Sequence, residues 1–199
     1  MEAVRTVRGR ALPLDRADVD TDQIIPAVWL KRIERAGFGE GLFSAWREDP
    51  AFVLNRPEHA GALVLVAGPN FGCGSSREHA AWALQDYGFR AVISPRFADI
   101  FRNNALKIGL VPAEVVPEVA ETLLRAVEAD PSLEVVVDVE SRRVSAPGAG
   151  IDAAFPLDDF TQWRLLSGLD DIGLTLRHEA AIGTFEQTRP AWLPVVGRA

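Results

Sequence analysis

With one cysteine and three histidines in 199 residues, the chain is short of the side chains that bind soft metals or cross-link a fold. The lone thiol, Cys73, excludes an intrachain disulfide. It also cannot by itself ligate a structural zinc or an iron-sulfur cluster, sites that take about four protein ligands. Any such metal must be held by another chain. Cationic side chains are in deficit too: 21 Lys and Arg face 28 Asp and Glu, a net charge of -7. That is the wrong sign for the phosphate attraction that dominates nucleic-acid affinity, and no nucleic-acid partner is expected. No apolar run near the N-terminus could serve as a signal peptide, and no stretch approaches the roughly 20 apolar residues of a membrane span. The chain is therefore expected to be soluble and cytoplasmic.

What is present is enough apolar residue, 48% of the chain, to bury one substantial core. No composition shift divides it, so residues 1–199 are expected to form a single domain. Residues 4–14 read as a strand and 15–22 as a turn. Residues 23–60 read as a long, mostly irregular excursion whose apolar side chains are too numerous for a solvated linker. Order is clearest from 63 onward. Short apolar runs at 63–67, 89–94 and 110–112 read as buried strands, and helices are expected between them at 77–87 and 96–108, closed by Gly88 and Gly109. That alternation argues for a parallel α/β core. A third helix at 117–129 starts on Pro117, residues 133–139 and 142–146 form a strand pair, and 160–167 is a short helix. From 183 to the end no periodicity stands out.

The segment Gly72-Cys73-Gly74-Ser75-Ser76-Arg77-Glu78-His79 lies where a buried strand hands over to a helix N-terminus, the natural anion site of an α/β fold. Glycines let the backbone approach a small ligand, two hydroxyls follow, and Arg77 can hold a carboxylate in bidentate fashion. The plain alternative is that Ser75 to Glu78 is an S-x-x-E capping box that satisfies helix-end donors. Other motifs fail on spacing. Arg77 stands where a dinucleotide fingerprint needs its third glycine, no P-loop occurs, and Gly74-Ser75-Ser76 is not a nucleophile elbow. Cys73, close to a helix N-terminus, could be a nucleophile of a cysteine-dependent hydrolase, although His59, His79 and His178 show no familiar spacing to it. The acidic run Asp15, Asp18, Asp20, Asp22 lacks the glutamate that a calcium loop needs at its twelfth position and reads as turn-forming.

Three segments carry a resemblance: Asp18 to Pro26 (D-V-D-T-D-Q-I-I-P), Gly72 to Ala80 (G-C-G-S-S-R-E-H-A) and Phe97 to Pro112. In order and spacing they resemble the markers of the 3-isopropylmalate dehydratase small-subunit family and of the C-terminal swivelling domain of aconitases. The resemblance implies a three-layer β/β/α swivelling domain. It implies a hydro-lyase acting on a small hydroxy-diacid, completed by a large subunit that bears a four-iron four-sulfur cluster, with no cofactor on this chain. It further implies Ser75 as the catalytic base, with Ser76 and Arg77 binding substrate. Asp20, Thr21 and Asp22 would be structural or supporting. The loop after Pro26 would shape the pocket for the variable substituent through Ile33, Phe38, Leu42 and Phe43, unless these simply pack as core, with Lys31 or Arg32 near the carboxylate end. The alternatives are a sister small subunit acting on homoaconitate or a methylmalate, or a non-catalytic anion-binding regulatory module.

Overall fold

The first strand, β1 (Thr6–Leu14), changes character half way along, and the sheet is organised by that change. Val7 is buried between exposed Thr6 and Arg8, whereas Ala11 to Leu14 is buried at every residue. Alternation suits a sheet with one solvated face, and a continuous apolar run suits a strand covered on both faces. In the computed structural model, which describes residues 1–32, 36–190 and 192, the two halves have different partners. Ala11 to Leu14 pairs in parallel with β2 (Val64–Ala67), followed across the sheet by β3 (Ala91–Ser94) and β4 (Val111–Glu114), all parallel. Thr6 to Arg10 pairs antiparallel with β5 (Glu134–Asp138), and β6 (Arg143–Ala146) and β7 (Ile151–Ala154) continue that side. The result is one seven-stranded sheet of order β4-β3-β2-β1-β5-β6-β7.

Successive residues of a strand point to opposite faces, and the core divides accordingly. Leu12, Leu65 and Val92 join one cluster with Ala80, Ala83 and Leu84 of α2 (Glu78–Tyr87), Phe101 and Ala105 of α3 (Asp99–Ile108), and the 20–60 segment. Ala11, Val64, Val66, Ala91 and Ile93 point the other way, into a cluster that gathers residues from all seven strands around α4 (Pro117–Ala129). Ala120, Leu123, Leu124 and Val127 recur at helical spacing on the buried face of α4, and Pro117 opens it as expected. The sheet thus curls about α4, with α2 and α3 outside its parallel half. The α/β class and layered β/β/α arrangement implied by the resemblance are what is found.

Two of the helices start later than expected, at Glu78 and Asp99, because the residues ahead of them are drawn into contacts at the candidate site. Among its described residues the 20–60 segment is irregular apart from one turn of helix, α1 (Thr21–Ile24), and five 3-10 turns. Within it Phe38, Leu42 and Phe43 are fully buried, so they are core and do not line a substrate pocket. Ile33 lies outside the described residues. After α5 (Asp159–Ser167) come two further helices that periodicity does not predict, α6 (Asp171–Leu176) and α7 (Glu179–Thr188). Neither buries a residue, and Ile172, Leu176 and Phe185 are exposed. Among the described residues no helix is long and apolar enough to cross a membrane.

Candidate active site

The loop from β2 to α2 is anchored at its base by Phe71, which is fully buried and meets the ring of Phe101 edge-on at 5.1 Å. Phe71 also forms an isolated β-bridge with Phe97, and Ala98 N donates to its carbonyl. This is why α3 begins only at Asp99: the residues ahead of it are extended to back the loop.

The 18–25 segment runs alongside. Asp20 caps α1 by accepting from Gln23 N at 2.7 Å, while the Gln23 side chain accepts from Asp20 N at 2.9 Å. This reciprocal cap holds the segment rigid. It is then stitched to the loop residue by residue. The Val19 carbonyl accepts from both Gly72 N (2.7 Å) and Cys73 N (3.2 Å), and Thr21 N donates to Cys73 O (2.9 Å). Thr21 Oγ1 donates to Ser75 O at 3.0 Å. Arg77 forks onto the Asp22 carboxylate, with Nη2 to Oδ2 at 2.9 Å, and its Nη1 also reaches Ile25 O at 3.3 Å. All three marker segments therefore converge on one place, and the aspartates have separate duties. Asp18 accepts from Asn70 Nδ2, Asp20 caps, and Asp22 pairs with Arg77.

Ser75 and Ser76 are exposed, Arg77 is half-buried, and α2 starts at Glu78 with Arg77 as its extended N-cap and no side-chain cap. The capping-box reading of Ser75 to Glu78 does not hold. Ser75 sits too far ahead of the helix to cap it, because Arg77 stays extended. Among the described residues the hydroxyls of Ser75 and Ser76 have no hydrogen-bond partner, and the amides of Gly74, Ser75, Ser76 and Arg77 make no backbone bond. Two free hydroxyls, a row of free amides at a helix N-terminus and a guanidinium form a surface suited to an anion.

The remaining polar candidates are elsewhere. Arg32 is held within its own loop, donating to Gly37 O and Glu40 Oε2 and stacking 4.5 Å from the Trp29 ring centroid. Lys31 is exposed at the end of a 3-10 turn. His79 packs its ring against Phe38 and Trp82, His59 is buried, and His178 precedes α7. No group of three or more His, Cys, Asp or Glu among the described residues could hold a metal ion.

Cys73 is a free, half-buried thiol whose pKa is pushed above the ordinary value, first by burial and then by the nearby Asp20 and Asp18 carboxylates. A thiol kept protonated at neutral pH is a poor nucleophile. Its alkylation by iodoacetamide at pH 7 is expected to be slower than that of free cysteine, and to rise with pH as the thiolate fraction grows. Alkylation at the free-cysteine rate would reopen the hydrolase alternative.

Comparison with known proteins points one way. Residues 1–118 match the aconitase C-terminal domain, and residues 171–195 match the C-terminal domain of the 3-isopropylmalate dehydratase small subunit. The 3-isopropylmalate dehydratase small subunit of Frankia alni is 67% identical over 194 residues, covering 98% of both chains. That of Rubrobacter xylanophilus is 61% identical over 196 residues, 98% of this chain and all of the relative. A solved structure of 3-isopropylmalate dehydratase from Methanocaldococcus jannaschii superposes with a TM-score of 0.67 at 27% identity, over 90% of this chain and 98% of that one.

Proposed function

Because the chain belongs to the family of 3-isopropylmalate dehydratase small subunits, we propose that its 72–77 loop carries the proton-transfer half of that enzyme's active site. As such a small subunit it is a component of a heteromeric hydro-lyase of leucine biosynthesis, with a large subunit as partner. The observation that carries the site assignment is the Ser75-Ser76-Arg77 stretch ahead of α2: among the described residues the hydroxyls of its two exposed serines are free, and its half-buried arginine already grips a carboxylate, that of Asp22.

On this reading Ser75 takes the proton from the carbon next to a substrate carboxylate, Ser76 hydrogen-bonds the substrate, and Arg77 binds a carboxylate of the hydroxy-diacid. A serine hydroxyl is a weak base at neutral pH, so the site must stabilise its alkoxide. The amides of Gly72 and Cys73 are spent on Val19, which leaves those of residues 74–77, with the α2 dipole, to do so. Loss of the hydroxyl from the neighbouring carbon leaves an alkene; returning the proton to that carbon, and adding hydroxide to the carbon that gave up the proton, turns 2-isopropylmalate into 3-isopropylmalate.

This chain offers an iron-sulfur cluster one cysteine and no cluster of metal-ligating side chains among its described residues. The resemblance implies a four-iron four-sulfur cluster, and on this reading the large subunit would hold it, where it would supply Lewis acidity toward the departing hydroxyl. Residues 1–199 would act as a single swivelling domain in the cytoplasm.

The test is anaerobic assembly with the large subunit followed by turnover of 2-isopropylmalate. Activity is expected from the complex and not from either chain alone. Turnover of homoaconitate or a methylmalate in its place would redirect the substrate assignment, and a cluster-loaded complex inert toward all of them would favour the regulatory reading. In the active complex, Arg77→Lys is expected to raise KM by about tenfold or more, since a point charge cannot reproduce two parallel hydrogen bonds. An unchanged KM would remove Arg77 from substrate binding.

A further inference from the structure

We propose that Thr21 is a positioning residue for the reaction, acting through the Ser75 backbone; this rests on the reading of Ser75 as the base. Between Cys73, which is bridged to the 19–21 segment, and the first turn of α2, the chain has little to hold it. Gly72 and Gly74 both lie in the left-handed region, and among the described residues the amides of 74–77 make no backbone bond and the hydroxyls of Ser75 and Ser76 are free. Among the described residues, the hydrogen bond from Thr21 Oγ1 to Ser75 O, 3.0 Å, is what ties Ser75 to the rest of the protein. The donor is well placed to set a direction. Thr21 is 2% exposed, it opens the reciprocally capped helix α1, and its own amide is committed to Cys73 O.

The peptide bond is planar, with C=O and N–H pointing oppositely across it. Fixing Ser75 O therefore fixes the plane of the 75–76 peptide and aims the Ser76 N–H to the other side, as one of the donors available to a Ser75 alkoxide. The same bond limits where the Ser75 side chain starts from. Arg77, by contrast, is held independently by Asp22 and Ile25 O. Loss of the Thr21 hydroxyl should then impair proton transfer and leave substrate affinity alone.

The experiment uses the assembled two-subunit enzyme with 2-isopropylmalate and compares wild type, Thr21→Val, Thr21→Ser and Ser75→Ala. Thr21→Val keeps the shape and removes the donor, and is expected to lower kcat about tenfold, the worth of one hydrogen bond, with KM unchanged. Thr21→Ser, which keeps the donor, is expected to stay within about twofold of wild type on the same scale. The proposal is overturned if Thr21→Val turns over like wild type, if Thr21→Val and Thr21→Ser fall together, or if KM rises in step with the loss. Should Thr21→Val not fold, Thr21→Ala takes its place under the same criteria, since it adds no apolar volume. An active Ser75→Ala enzyme would instead remove the reading of Ser75 itself, a result separate from the behaviour of Thr21.

Discussion

Replacing Ser75 by alanine is expected to lower kcat by about a thousandfold, within the range that a positioned acid or base supplies, while the two subunits still assemble. The variant is a clean one. Ser75 is exposed, its hydroxyl has no hydrogen-bond partner among the described residues, and the contact that fixes its backbone is made by its carbonyl, which alanine keeps. Stability of the chain should therefore not change, and neither should KM by more than a few fold, because Arg77 and Asp22 are untouched. A kcat within tenfold of wild type would show that some other group removes the proton.

The second large effect is on folding, and it separates two glycines that look alike in the sequence. Gly72 and Gly74 have φ of +78° and +89°, a region that costs an L side chain roughly 1–2 kcal/mol. Their surroundings differ. A Cβ on Gly72 would lie 2.3 Å from Cγ of Phe101, a ring that is 1% exposed, stacked on Phe97 and edge-on to Phe71, so it has no room to yield. A Cβ on Gly74 meets nothing nearer than 3.5 Å. Overpacking of this kind adds about 1–3 kcal/mol. Gly72→Ala is thus expected to destabilise by about 2–5 kcal/mol and to displace the loop, against about 1–2 kcal/mol for Gly74→Ala. Urea unfolding of the two variants, side by side, decides it. Equal midpoints would mean that Phe101 moves aside.

The parallel half of the fold was legible because it follows the simplest rule: runs such as Val64 to Ala67 are buried on both faces, and Gly88 and Gly109 end the helices. The errors fall where tertiary contacts overrule local pattern. Residues 96–98 look helical and are extended, because Phe97 is taken up by a bridge to Phe71. Arg77 looks like a first helical residue and is extended, because its guanidinium reaches Asp22. β7 is short and exposes alternate residues, and α7 buries nothing, so neither leaves the periodic apolar trace by which elements are read. The site was legible as three motifs but not as a geometry. Nothing in Asp20-Thr21-Asp22 announces that one residue caps, the next holds a carbonyl 54 positions away and the third takes an arginine 55 positions away.

The two-faced pairing of β1 also bears on how the chain is made. Its C-terminal half waits for β2, some fifty residues on, and its N-terminal half pairs with β5, with Thr6 opposite Asp138 at a separation of 132. Such distant pairings form slowly and leave apolar strand edges open in the meantime. On the ribosome, β1 must emerge early and remain a vacant edge until β5 has been translated, so the strand that organises the sheet is among the last to be fully enclosed. Nascent-chain arrest before residue 134 should leave Val7 unprotected and the protein dependent on a holding chaperone.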